Sequence, residues 1–162
     1  MKRFLTMACT VLMATGALAQ EQKTVVAYFS ATGTTEKVAS SLAKEHKADL
    51  YKIEPKEVYS SADLNWRDKQ SRSTLEMNDK SARPALKEAK SLAGYDVIYL
   101  GYPIWWDMAP RIIDTFIEQA QIDGKKVFPF ATSGGSSIVN SVRELKLAYP
   151  DVKWQAGVLM ND

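Results

Sequence analysis

The chain has 162 residues, of which 46% are hydrophobic and 25% are charged, and its 21 Lys and Arg residues nearly balance 19 Asp and Glu residues. A charge this close to zero gives no electrostatic basis for binding nucleic acid or an anionic membrane, so we expect no nucleic-acid partner. With one cysteine, Cys9, and one histidine, His46, the composition excludes an intrachain disulfide and argues against a metal centre.

The first 19 residues have the pattern of a secretory signal peptide. Lys2 and Arg3 precede an apolar run over Phe4–Leu18, and small residues around Ala19 suit cleavage before Gln20. We therefore predict that residues 1–19 are a signal peptide and that residues 20–162 form one domain. The alternative is that the segment is retained as an N-terminal anchor.

Export follows from that prediction. We expect a periplasmic or otherwise extracytoplasmic protein with no stable membrane insertion after cleavage. Cys9 follows too short an apolar stretch to be a lipid-attachment site, and it is lost with Lys2 and Arg3. The mature chain then has 19 basic and 19 acidic residues, a formal charge of zero and no thiol.

Apolar runs alternate with helical stripes along the rest of the chain. Continuous apolar runs between turn residues predict strands, and apolar residues spaced three or four apart predict helices. The predicted strands are Thr24–Phe29, Leu50–Ile53, Val97–Leu100 with a break at Gly101–Pro103, Val127–Ala131 and Trp154–Met160. The predicted helices are Thr34 to about Lys47, Pro84–Ala93, Pro110–Ala120, and one carrying Ile138, Val139, Val142 and Leu145.

Residues 55–82 are polar, lack regular periodicity and are predicted to be a long connection that contains a short turn of helix. His46 falls on the apolar stripe of the first helix, which indicates a packing or helix-dipole role. Strands that alternate with helices predict an α/β domain, a doubly wound parallel sheet of five strands with helices on both faces.

Ligands of such sheets bind beyond the carboxyl ends of the strands. Three loops of unusual chemistry lie at those ends, and we expect them to converge on one edge. They are the first loop (Ser30–Thr35), the second loop (Tyr102–Asp107) and the third loop (Thr132–Ser136).

The first loop combines hydroxyl side chains and one glycine with a helix N-terminus. Unpaired amides and the positive end of the helix dipole favour a phosphate there, held by neutral hydrogen bonds because the loop has no basic residue. A P-loop ending is absent, which argues against nucleotide cleavage. The alternative is a plain turn with an N-cap threonine. The candidate phosphate-binding residues are Ser30, Ala31, Thr32, Gly33, Thr34 and Thr35.

The second loop contains the adjacent tryptophans Trp105 and Trp106. Neighbouring side chains diverge, so at least one indole is expected to line a cleft and stack on a flat ring; the alternative is packing under a lid or at a subunit contact. Asp107 is expected to cap the helix that begins near Pro110. The glycines of the third loop let the backbone approach a planar ligand.

Together these segments resemble the flavodoxin family, specifically flavodoxin-like proteins with a Trp-Trp loop. The matching stretches are Tyr28–Thr35, Gly101–Trp106 with Ala109-Pro110, and Phe130–Ser136, and the similarity extends from about Thr24 to Met160. The resemblance implies FMN as cofactor, its phosphate in the first loop and its isoalloxazine between the second and third loops. It further implies that Trp105 or Trp106 flanks the ring, and that the ring-binding residues are Pro103, Ile104, Trp105, Trp106, Thr132, Ser133, Gly134 and Gly135.

The function that the resemblance implies is electron transfer by an FMN-binding flavodoxin-like carrier in low-potential redox reactions, with redox proteins as partners. We expect a carrier rather than a turnover enzyme, because the sequence shows no pattern of a nucleophile paired with a general base. Two alternatives stay open: an FMN-dependent NAD(P)H quinone or nitro reductase, and a non-redox binding module on the same scaffold.

The C-terminus leaves no room for the closing helix expected of this fold, because the sequence ends at Asp162 directly after the last predicted strand. The sheet face beside the first helix would then expose core residues. Either the chain is a fragment, or a partner or a second copy covers that face.

Overall fold

The computed structural model describes residues 21–161, so the predicted signal peptide lies outside the described residues. Its strands are β1 (Thr24–Tyr28), β2 (Asp49–Lys52), β3 (Val97–Pro103), β4 (Lys126–Thr132), β5 (Lys153–Trp154) and β6 (Val158–Leu159). Its helices are α1 (Thr34–Glu45), α2 (Arg72–Asn78), α3 (Arg111–Gln119) and α4 (Val139–Ala148).

All strand pairs are parallel, in the order β2-β1-β3-β4-β5, and β6 also pairs with β4. The short β5 and β6 are two parts of one edge strand, so the predicted doubly wound five-stranded sheet is confirmed. Each helix of residues 21–161 is too short or too polar to span a bilayer.

Both faces of the central strands are buried, as expected for a parallel sheet covered by helices. In β1, Val25 and Ala27 belong to the large apolar cluster that includes α3 and α4. Val26 and Tyr28 point to the opposite face, where they pack with the apolar stripe of α1. The apolar run of β1 therefore serves two cores at once.

The predicted break of β3 at Gly101 is wrong. Gly101 pairs with Tyr28 on one side and with Phe130 on the other, and the strand continues to Pro103. A Cβ at Gly101 would lie 2.2 Å from the Phe130 ring, so the glycine makes room for a neighbouring side chain instead of turning the chain.

The last strand is interrupted where a continuous strand was predicted. Between the pairs Val127↔Trp154 and Phe130↔Val158, the edge strand contains one more residue than β4, which makes a bulge. Pro129 lies at this point in β4. The carbonyl groups of Val127 and Ala131 accept hydrogen bonds from the edge strand. Alternate residues of a parallel strand direct their backbone groups to the same neighbour, so the nitrogen of Pro129 faces the edge strand as well. Proline has no N–H, and the hydrogen bond expected there is missing.

The predicted helix Pro84–Ala93 is also wrong. Leu86 forms an antiparallel bridge with Pro55, and backbone bonds join Lys56 to Ala85 and Lys87 to Glu54. Pairing with this strand-like segment satisfies backbone groups that a helix would otherwise have paired internally. The long connection does contain the short helical turn expected of it, α2.

The sheet face beside α1 carries a row of aromatic rings. His46, the C-cap residue of α1, stacks on Tyr99 with ring centroids 4.7 Å apart, and Tyr99 stacks on Phe128 at 5.2 Å. Tyr99 and Phe128 are half-buried. His46 thus packs as predicted, and within residues 21–161 no helix follows β6 over this face.

Candidate functional site

The three loops meet at the carboxyl edge of the sheet. The backbone N–H of Ile104 donates to the carbonyl of Thr132 at 2.9 Å, which joins the second loop to the end of β4. A buried hydrogen bond of 2.8 Å between the Thr35 and Thr132 hydroxyls joins the first loop to the third. The predicted convergence is confirmed by these contacts.

At the N-terminus of α1 the backbone amides are not capped by a side chain. The N-cap residue is Gly33, whose φ of +94° lies in the left-handed region, and it makes no side-chain cap. Ser30 Oγ instead accepts a bond from the Gly33 amide at 3.0 Å, which shapes the loop. The N-cap threonine considered as an alternative is therefore wrong. The first amides of α1 have no intrahelical acceptor and remain available for an anion.

A cavity of about 420 Å³ lies beside this helix end. Its size is that of a small-molecule site. The first and second loops form two of its walls, and three residues of the long connection form another. The lining residues are Ser30, Ala31, Thr32, Thr34, Thr35, Leu64, Trp66, Ser73, Pro103, Ile104, Trp105 and Trp106.

An open groove of about 510 Å³ adjoins the cavity and shares part of its wall. It brings in the third loop through Thr132, Ser133 and Gly134, together with Asn161. The side-chain oxygen of Asn161 accepts from the Ser133 amide at 2.9 Å. Of the predicted site residues, Gly33 and Gly135 line neither space; Gly33 forms the turn, and the Gly135 amide donates to Ser133 Oγ.

The two adjacent tryptophans diverge, as predicted. Trp105 is half-buried, and its ring meets Phe29 and Tyr59 edge-on at centroid distances of 5.7 and 5.4 Å. Trp106 is 43% exposed. Both line the cavity, but only Trp105 is held by packing on other aromatic rings.

The second loop closes with a tight turn. Trp105 and Met108 exchange backbone hydrogen bonds of 2.9 Å, and the two residues between them, Trp106 and Asp107, have positive φ values of 45° and 62°. This is the backbone of a type I′ turn, which normally favours Asn and Gly. The predicted cap by Asp107 is wrong, because Pro110 is the N-cap of α3 without a side-chain bond; the Asp107 carbonyl accepts from Asn140 instead.

A polar network in the long connection holds Tyr59, the ring that packs edge-on against Trp105 of the cavity wall. Arg72 Nε donates to Glu76 at 2.7 Å and its guanidinium lies 4.0 Å from the centre of the Tyr59 ring. The Tyr59 hydroxyl donates to the other Glu76 oxygen at 2.6 Å. Burial, reinforced by this bond to a carboxylate, raises the pKa of Tyr59 far above its ordinary value, so it remains a neutral donor.

The cavity residues Leu64, Trp66 and Ser73 are not among the site residues predicted from the sequence. The signal for Trp66 was available, since a tryptophan in a polar connection is unusual; it is 65% exposed and carries the Arg67 guanidinium 4.7 Å from its ring centre. Nothing in the sequence marked Leu64 or Ser73. Among the described residues, no group of three or more His, Cys, Asp or Glu side chains is placed to hold a metal ion.

The family model described as flavodoxin matches residues 23–162. The chain belongs to the flavodoxin family. No match was found among curated proteins. Two solved structures, both of proteins assigned as flavoproteins, resemble this flavodoxin closely. The one from Bacteroides eggerthii has 57% identity and a TM-score of 0.85 over 87% of this chain and 89% of its own. The one from Bacteroides uniformis has 54% identity and a TM-score of 0.85 over 86% and 90%.

A more distant structure shares the fold. It is a flavoprotein from Lactobacillus acidophilus in complex with FMN, with 22% identity and a TM-score of 0.67 over 87% of this chain and 94% of its own. At this identity the likeness concerns the fold alone.

Proposed function

We propose that this flavodoxin-family protein binds FMN noncovalently at the three-loop edge and serves as an electron carrier in low-potential redox reactions. One observation carries the proposal: a helix N-terminus without a side-chain cap opens beside a cavity lined by hydroxyls and indoles. The family supports the cofactor, as does the FMN complex of the Lactobacillus acidophilus relative.

The residues present fit FMN. The amides of Thr34 and Thr35 at the start of α1, with the hydroxyls of Ser30, Thr32 and Thr34, would hold the phosphate. The phosphate dianion would then be held by neutral hydrogen-bond donors, without a metal ion or a lysine. Trp105 and Trp106 would hold the ring, and the third-loop amides its polar edge.

FMN supplies the one- and two-electron redox chemistry when bound. The chain's own residues would bind and orient it, with the indoles of Trp105 and Trp106 against the ring. Tyr59 stays protonated and does not move a proton, because its pKa is raised. None of the residues that line the 420 Å³ cavity is Asp, Glu, His, Lys, Cys or Tyr, which suits a carrier whose partner is another redox protein.

Spectroscopy of the purified protein, residues 20–162, tests FMN binding. We expect flavin absorption to stay with the protein through gel filtration after FMN is added. Riboflavin, which lacks the phosphate, should bind at least about tenfold more weakly if the α1 terminus holds that group. A colourless protein that retains no FMN would contradict the proposal.

A reductase is the second candidate, and it is favoured by the exposed Trp66, which lines the cavity and carries the Arg67 guanidinium over its ring. An exposed indole beside a cation is suited to a planar anionic acceptor or a nicotinamide cofactor. Steady NAD(P)H oxidation by the FMN-loaded protein with a quinone or nitro compound would favour a reductase. A loaded protein that exchanges electrons with a redox protein but shows no such turnover would favour the carrier.

We also propose that the protein acts outside the cytoplasm, on the strength of the signal-peptide pattern in residues 1–19. Mass spectrometry of the protein from the periplasmic fraction should give a mature chain that begins at Gln20. Full-length protein found in the cytoplasm alone would contradict this.

A further inference from the structure

Two exposed aromatic side chains from different segments of the chain line the same cavity. Within residues 21–161, nine large apolar side chains are exposed, and two of these are aromatic: Trp66 at 65% and Trp106 at 43%. Both line the 420 Å³ cavity, and none of the other seven does. Single exposed apolar residues need no explanation, but two indoles that share one cavity indicate a binding surface for a flat apolar group.

The other two tryptophans of the chain are held by the protein itself. Trp154 donates from its indole nitrogen to the Tyr149 carbonyl at 2.9 Å, and Trp105 packs edge-on against two aromatic rings. For Trp66, the described part of the chain supplies one ring contact, the Arg67 guanidinium at 4.7 Å from the ring centre. The guanidinium lies over one face of the indole, so the opposite face is open to a ligand.

The backbone that carries Trp66 is held by turns of the long connection. The Asn65 amide donates to the Ala62 carbonyl at 3.2 Å, and the Asp68 amide donates to the Asn65 carbonyl at 3.0 Å. Leu64 is half-buried, packs against the main apolar cluster and also lines the cavity. The backbone at Trp66 is therefore in place before a ligand binds, which reduces the entropy lost on binding.

We propose that the Trp66 indole packs on the isoalloxazine ring of bound FMN, so that the long connection, as well as the three loops, belongs to the cofactor site. This inference rests on the proposed function. Flat aromatic rings stack favourably, and stacking would remove from water the indole surface that Trp66 exposes in the cofactor-free protein. The assignment competes with use of Trp66 by NAD(P)H or a small acceptor, because one indole face cannot hold both rings.

Trp66→Ala should weaken flavin binding while the fold stays intact. Stacking on an aromatic side chain predicts an increase of about 5- to 150-fold in the FMN dissociation constant. Riboflavin should lose affinity by the same factor, because it keeps the ring and lacks only the phosphate. The urea unfolding midpoint of the cofactor-free variant should change little, since Trp66 is mostly exposed.

The test is a fluorescence titration with FMN and with riboflavin, together with urea unfolding of the cofactor-free protein. Leu75→Ala is the matched control, because Leu75 is 50% exposed in α2 of the same connection and does not line the cavity. The control should leave both affinities unchanged. Trp66→Phe, which keeps an aromatic ring, should bind FMN more tightly than Trp66→Ala.

An unchanged FMN affinity in Trp66→Ala would overturn the inference, as would an equal loss in Leu75→Ala or a loss that is absent with riboflavin. An unchanged affinity together with slower NAD(P)H-dependent turnover of the FMN-loaded variant would assign Trp66 to an acceptor site instead. Failure of the unsubstituted protein to bind FMN would refute the proposed function, and that result is separate from the others.

Discussion

Alanine at each of the two adjacent tryptophans should separate stability from cofactor binding. Trp105 packs edge-on against Phe29 and Tyr59, whereas Trp106 is 43% exposed at the same cavity. Trp105 therefore belongs to the fold, and Trp106 remains available to a ligand.

The stability effect follows from those contacts. Truncation of a fully buried tryptophan costs about 3–5 kcal/mol, and each aromatic pair adds about 0.5–1.5 kcal/mol beyond the area it buries. Because Trp105 is only half-buried, we expect Trp105→Ala to lower the free energy of unfolding of the cofactor-free protein by about 2–4 kcal/mol. Trp106→Ala should change it by less than about 1 kcal/mol, as is usual at exposed positions.

The binding effect should be larger for Trp106. Stacking of an aromatic side chain on a nucleic-acid base is worth about 1–3 kcal/mol, and we expect a similar value for the flavin ring. Trp106→Ala should therefore weaken FMN binding by about 5- to 150-fold while the fold stays intact. Urea unfolding gives the first quantity and fluorescence titration with FMN the second. A Trp106→Ala protein that binds FMN normally, or that loses as much stability as Trp105→Ala, would refute this division of roles.

Three further predictions concern the scaffold. Gly101→Ala places a Cβ 2.2 Å from the Phe130 ring, so we expect a loss of at least about 2 kcal/mol in urea unfolding; a neutral result would show that the ring moves aside easily. Asp107→Gly should raise the unfolding free energy by up to about 1 kcal/mol, because φ is +62° there, and a lower value would show that the side chain is needed. Bonds from Ser60 hold the pKa of Asp63 below its ordinary value, so its stabilising effect is present above the unfolded pKa and is lost as the pH falls through the folded one. The unfolding midpoint of Asp63→Asn should therefore fall less steeply with acid than that of the unsubstituted protein, and parallel curves would count against this.

The sheet and the converging loops could be predicted because each depends on local pattern. The apolar run at Val25–Phe29 and the hydroxyls that follow it require only a buried strand and a helix start. Once the sheet is parallel, its strand ends must share an edge, so the meeting of the first and third loops through Thr35 and Thr132 follows from topology.

The errors arise where a distant partner decides the local structure. Gly101 extends β3 because Phe130 of the next strand needs its space, and residues 84–93 are not helical because they pair with residues 54–56. Pro129 interrupts the edge strand through a missing N–H, a feature of the neighbour and not of the interrupted segment. Ser73 and Leu64 reach the cavity only through tertiary packing of the long connection.

A crystal structure of the protein grown with FMN would locate the cofactor. We expect the phosphate against the amides of Thr34 and Thr35 and the ring beside Trp106. Density for FMN anywhere other than the 420 Å³ cavity and its adjoining groove, or a phosphate away from the α1 N-terminus, would contradict the assignment of this edge as the cofactor site.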